Sequence, residues 1–132
     1  MSQEAQSTKT EIPPSIQSMK INTIITVRHL FDGDYYDRTE VYAEIHGEAV
    51  IDGRRIVFPY RKVIRSQDLT YGMGDFVKHV LDDIKLQQEL MMEDIANYAK
   101  NRKILLEELS KVGEVTEEYA QNNDDEDEDS DP

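Results

Sequence analysis

The chain has 132 residues, room for one domain, and its 28 Asp+Glu against 15 Lys+Arg give a formal charge of −13. Apolar residues make up 38% of it, too few for the whole length to fold around a core. It contains no cysteine, which excludes disulfides, thiolate metal sites and a cysteine nucleophile, and no run approaches the roughly 18 apolar residues of a membrane span.

Residues 1–18 are poor in apolar side chains and include Pro13-Pro14, so they read as a flexible arm. The segment lacks the basic flank and apolar stretch of a secretory signal, and the expectation is a soluble, cytoplasmic protein. Small size, absent cysteine and contrasting ends also fit a viral or bacteriophage accessory protein acting in the host cytoplasm. The acidity is not spread evenly. Residues 113–132 hold ten acidic residues and no basic one, so the remainder of the chain is near neutral.

Three β-type runs come next. Residues 20–31, KINTIITVRHLF, are rich in β-branched side chains. Ile21, Thr23, Ile25, Val27 and Phe31 form one mostly apolar face. Ile24 and Leu30 on the other face predict a strand partly covered on both sides. Residues 32–39, DGDYYDRT, read as a polar hairpin loop whose tyrosines offer a partner contact. Its clustered aspartates invite a calcium reading, but the spacing is not that of an EF-hand and no Glu closes it.

Residues 40–51 and 54–65 alternate in hydrophobicity around Asp52-Gly53, the strongest short hairpin signal. A two-residue turn sets Ile51 opposite Arg54 and, continued without irregularity, Ala49 opposite Ile56, Ile45 opposite Tyr60 and Val41 opposite Ile64. The other face then pairs Glu44 with Arg61 and Glu40 with Arg65. By itself RRIVFPYRKVIR resembles a nucleic-acid-binding strand, with basic residues interleaved with aromatics. In this register Phe58 and Tyr60 point to the core, and carboxylates neutralise Arg61 and Arg65. Arg54, Arg55 and Lys62 remain as candidate phosphate contacts.

Residues 75–112 follow Gly72-Met73-Gly74, which reads as a turn, and form a long helix with Asp75 as N-cap and Gly113 as C-cap. Apolar residues recur at coiled-coil spacing through Val77, Leu81, Ile84, Met91, Ile95, Tyr98, Leu105 and Leu109. Such a helix spans roughly 57 Å, whereas a strand of residues 20–31 reaches at most about 40 Å. Its second half therefore needs another cover. A second copy or a partner is expected to supply it at Met91, Ile95, Tyr98, Arg102, Leu105 and Leu109; the alternative is a break near residues 97–101 that folds the helix back on the same sheet.

The tail, ending QNNDDEDEDSDP, repels itself and is expected to be disordered. Asp124, Asp125, Glu126, Asp127, Glu128 and Asp129 are the candidate contact for a basic partner. His29, His46 and His79 show no ligand spacing, and no nucleophile motif is present. The sequence thus predicts an α+β domain at residues 19–112, with a three-stranded antiparallel sheet of two hairpins and a long C-terminal helix, and no metal, cofactor or catalytic residue. The function expected is that of a non-catalytic oligomeric interaction protein, an adaptor, assembly factor or inhibitor. The alternative is a single-stranded nucleic-acid-binding accessory protein regulated by its acidic tail.

Overall fold

A computed structural model describes residues 13–122. Three strands, β1 (Ile16–Asp32), β2 (Tyr35–Ile51) and β3 (Arg54–Gln67), form an antiparallel sheet in the order β1-β2-β3. A single helix, α1 (Phe76–Ser110), follows. This is the α+β arrangement that the alternation and the helical period predict. By contacts the chain divides into two units, at Arg102 and Lys103, whereas the sequence reading carried one domain to Val112. Of the arm expected at residues 1–18, residues 1–12 lie outside the described residues, as do the acidic candidates Asp124 to Asp129, whereas Ile16, Gln17 and Ser18 already belong to β1.

Both hairpins turn on two residues. Asp52 (φ 49°) and Gly53 (φ 84°) are both left-handed, as a type I′ turn requires. The first hairpin is tighter than expected. β1 runs to Asp32 and β2 starts at Tyr35, leaving Gly33-Asp34 as the turn in place of a loop over residues 32–39. Gly33, at φ 66°, takes the backbone conformation that a β-branched residue would resist.

The register of the second hairpin departs from the unbroken one. Ile51–Arg54, Ala49–Ile56 and Gly47–Phe58 pair as expected, and then Ile45 pairs with Arg61, Ala43 with Val63 and Val41 with Arg65. The extra residue lies in β3 at Pro59-Tyr60. Proline has no N–H for the ladder, and a bulge is where a strand tolerates that loss. Every side chain beyond the bulge changes face. Arg61, Val63 and Arg65 turn toward α1, while Tyr60, Lys62 and Ile64 turn outward. Burial agrees: Val63 is buried and Ile64 is exposed. The expected Glu44–Arg61 and Glu40–Arg65 pairs do not form.

The core lies between one face of the sheet and α1. Ala43, Ile45, Ala49 and Ile51 of β2 pack with Val80, Ile84, Met91, Ile95 and Ala99 of the helix. Each large aliphatic buried there contributes about 1.5–3 kcal/mol. Gly47 sits at the centre: a Cβ there would lie 2.6 Å from Met91 Cγ and Sδ and 3.2 Å from Ile95 Cδ1. The missing side chain lets the helix approach the sheet.

Polar clamps flank the core. Arg61 Nε and Nη2 donate to the two Asp94 carboxylate oxygens at 2.9 and 3.0 Å, and Nη1 donates to Gln87 Oε1 at 3.1 Å. Arg65 pairs with Asp83, and Arg102 with Asp52 of the hairpin turn. Gln88 Nε2 donates to Thr23 Oγ1 at 2.9 Å, tying α1 to β1. Asp75 acts as the N-cap, its carbonyl accepting from His79 N at 2.9 Å.

The helix is unbroken across residues 97–101, so the folded-back alternative does not occur. The sheet reaches further than expected, although Ile104, Leu105 and Leu109 stay exposed. At 17 residues, β1 and β2 are longer than the 12-residue strands expected, and 17 residues of strand span roughly 55 Å. Met91 and Ile95, expected at an oligomer interface, are completely buried in the chain's own core. In the second unit α1 ends at Ser110, and Gly113 N donates to Leu109 O at 3.2 Å.

Two substitutions test this packing by urea denaturation. Gly47→Ala overfills the contact with Met91 and is expected to cost about 1–3 kcal/mol. Asp94→Ala, which strips the carboxylate from Arg61, is expected to cost about 1 kcal/mol, less at high salt.

Candidate interaction surface

With α1 on one face, the other face of the sheet has no covering layer among the described residues. Its middle strand presents Glu40, Tyr42, Glu44, His46 and Glu48. Tyr42 Oη donates to Glu44 Oε2 at 2.8 Å, and His46 Nε2 lies 2.9 Å from Glu44 Oε1. The His46 ring, and then the Tyr42 hydroxyl, hold the Glu44 carboxyl below its ordinary range. Conversely, the Glu44 carboxylate pushes the Tyr42 phenol up to about 12, because losing its proton would set two anions side by side. Tyr60, turned outward by the bulge, packs on the His46 ring with centroids 5.2 Å apart.

The basic residues of this face are largely matched to its carboxylates. Arg55 donates to Glu48 at 2.7 Å and is the main reason its carboxyl lies below the ordinary range. Arg28 and Arg38 stand 3.9 and 3.6 Å from Glu40. Lys62 lies opposite Glu44 in the ladder. The three nucleic-acid candidates do not converge. Arg54 and Arg55 open β3 beside the turn, and Lys62 lies roughly 20 Å further along the strand. The Tyr60–His46 stack escaped the unbroken register, which sets Tyr60 in the core; Pro59 inside an otherwise regular strand was the available signal.

A second surface surrounds β1, the edge strand. Ile25, Val27 and Phe31 on the α1 side are 53%, 54% and 59% exposed, and Ile24 on the opposite side is 50% exposed. The described chain therefore covers β1 only in part: Ile16, Met19 and Ile21 pack against the core, while Ile24, Ile25, Val27 and Phe31 stay about half exposed. Val77 and Leu81 of α1 are exposed as well. Leu81 lies two turns before Gln88 on one helical face, and Gln88 is bonded to β1.

Of the remaining expected interface residues, Tyr98 packs edge-on against Phe58 with centroids 5.7 Å apart, and Arg102 is bonded to Asp52. Leu105 and Leu109, in the second unit, are exposed together with Ile104 and Val112. The aspartate-rich hairpin gathers no ligand set, and no group of three or more His, Asp or Glu among the described residues is placed to hold a metal. The tyrosines there differ. Tyr35 is exposed, while Tyr36 Oη lies 2.7 Å from Thr39 Oγ1 and accepts from Leu69 N at 3.1 Å. His29 Nδ1 completes this cluster, 2.9 Å from Thr39 Oγ1.

No family model, curated protein or solved structure matches this chain. Among the described residues no helix is long and apolar enough to cross a membrane.

The Tyr42–Glu44 contact has a spectroscopic signature. In an ultraviolet titration one of the seven tyrosines should ionise late, near pH 12, and Tyr42→Phe should remove that late phase. The raised value stabilises the fold fully below the unfolded tyrosine's pKa, about 10, and this is lost as pH rises through the folded value. A uniform titration of all tyrosines would contradict the contact.

Proposed function

We propose that the protein is a non-catalytic, homo-oligomeric interaction protein, an adaptor, assembly factor or inhibitor, and that residues 124–129 engage a basic partner. The observation that supports this reading is the apolar surface left after the intrachain core has formed. Monomeric proteins rarely leave contiguous apolar patches uncovered, and such patches mark contacts with other chains. Here Ile24, Ile25, Val27 and Phe31 are exposed on a single edge strand. Leu105 and Leu109 are a further exposed pair. The assembly role first ascribed to Met91 and Ile95 passes to these residues.

Sedimentation velocity of the full chain at micromolar concentration tests the proposal. A mass of two or more times 15.3 kDa is expected, and a monomer across the concentration range would overturn it. Leu105→Asp with Leu109→Asp, at exposed sites, reports whether the end of the helix takes part.

A second reading, binding of single-stranded nucleic acid, gains one observation. The bulge turns Tyr60 and Lys62 onto the open face beside His46, where a base would stack. Glu40, Glu44 and Glu48 on the same face oppose a phosphate backbone. If this reading holds, a labelled oligonucleotide binds at low salt, more tightly after deletion of residues 124–132, and Tyr60→Ala abolishes binding. No binding by either form removes it.

A further inference from the structure

The two edges of the sheet are built differently. β3 carries Arg54, Arg55, Arg61, Lys62 and Arg65, and Pro59 at a bulge, the devices that keep an edge from pairing with another chain. β1 has none of these between Ile21 and Val27: no charge, no proline, and a regular ladder to β2. Asn22, Thr23, Ile24, Ile25, Thr26 and Val27 form a flat, β-branched stretch. Its side chains are half exposed, and its outer backbone edge pairs with no strand among the described residues. One edge is guarded and the other is open.

We propose that a second copy of the chain adds to β1, antiparallel, making one continuous six-stranded sheet across a two-fold axis through Thr26. This deepens the self-association reading above and rests on it. The strand is complementary to itself in that register. Ile25 lies opposite Val27 of the second copy, Ile21 opposite Phe31, and Ile24 beside the stem of Arg28. At each end Lys20 meets Asp32, opposite charges directly across the strands. Sliding the register by four residues, to an axis through Ile24, would instead set Lys20 against Arg28, a like-charge pair at each end.

A two-fold axis perpendicular to the sheet keeps both helices on the same side. The exposed Ile25, Val27 and Phe31 of β1, with Val77 and Leu81 on the helical face that carries Gln88, then meet their counterparts, and the two apolar strips cover each other. Both deficits of the isolated chain, unpaired backbone and wet aliphatic side chains, are met by the same partner.

Two kinds of variant test the pairing in the full chain. Ile25→Lys adds a charge at the middle of the edge. Because Ile25 is already half exposed in the isolated chain, the circular dichroism spectrum at room temperature should hold while sedimentation shifts from dimer to monomer and Tm loses its dependence on protein concentration. The chain has no cysteine, so a single introduced one is a clean probe. Thr26→Cys should form a disulfide-linked dimer on mild oxidation, since paired β residues place Cα atoms within disulfide range, about 4.5–5.5 Å. Ile64→Cys, on the other edge strand, should cross-link at least tenfold more slowly. A wild-type monomer would overturn both this pairing and the self-association reading. A dimer that survives Ile25→Lys, or equal cross-linking of the two cysteine variants, would overturn the edge pairing alone and place the contact elsewhere.

Discussion

The contact between Gly47 and the Met91 side chain sets the rest of the molecule. At the only glycine of the central strand, α1 comes close enough for Met91 and Ile95 to be completely buried. One position later in the ladder β3 bulges at Pro59-Tyr60, which turns Arg61 and Arg65 toward the carboxylates of Asp94 and Asp83. The close approach of the helix, the bulge at Pro59 and the ion pairs thus lie at neighbouring levels of the sheet. A side chain at position 47 would lift the helix, and an unbroken β3 would put Tyr60 and Ile64 beneath it and leave Asp83 and Asp94 without their arginines.

This geometry also decides what stays open. A single helix holds to the β2–β3 side through Arg61 and Arg65, and reaches β1 through the Gln88–Thr23 bond. The edge strand therefore keeps Ile25, Val27 and Phe31 half exposed on the helix side. Small two-layer domains have little apolar surface to spare, since a chain of this size is only marginally stable. Leaving the most β-branched strand of the chain half wet favours a state in which a second chain covers it.

The sequence made much of the fold legible, for local reasons. Asp52-Gly53 specifies a type I′ turn without help from tertiary contacts, and Asp75 takes the N-cap position, its carbonyl accepting the first bond of the helix. Two features were hidden because they depend on the third dimension. Periodicity alone carries β3 straight through Pro59; the slip becomes visible only when Arg61 is asked to choose between Glu44 and Asp94. Residues 32–39 read as a loop because Asp and Gly cluster there, yet only Gly33 and Asp34 turn, and the tyrosines that follow continue the strand. Met91 and Ile95 are buried against Gly47, within the part of β2 that the alternation had already marked. Of the heptad positions, Ile84, Met91 and Ile95 pack on the sheet, while Val77, Leu81, Leu105 and Leu109 stay exposed.

Amide hydrogen exchange along β1 tests the central claim most directly. In this strand alternate amides bond to β2, and the intervening ones point to the open edge. If a second copy occupies that edge, the outward amides of residues 20–32 are protected nearly as well as the inward ones, and their protection falls on dilution. Outward amides that exchange as fast as those of an unstructured chain at every concentration would show that the edge stays bare.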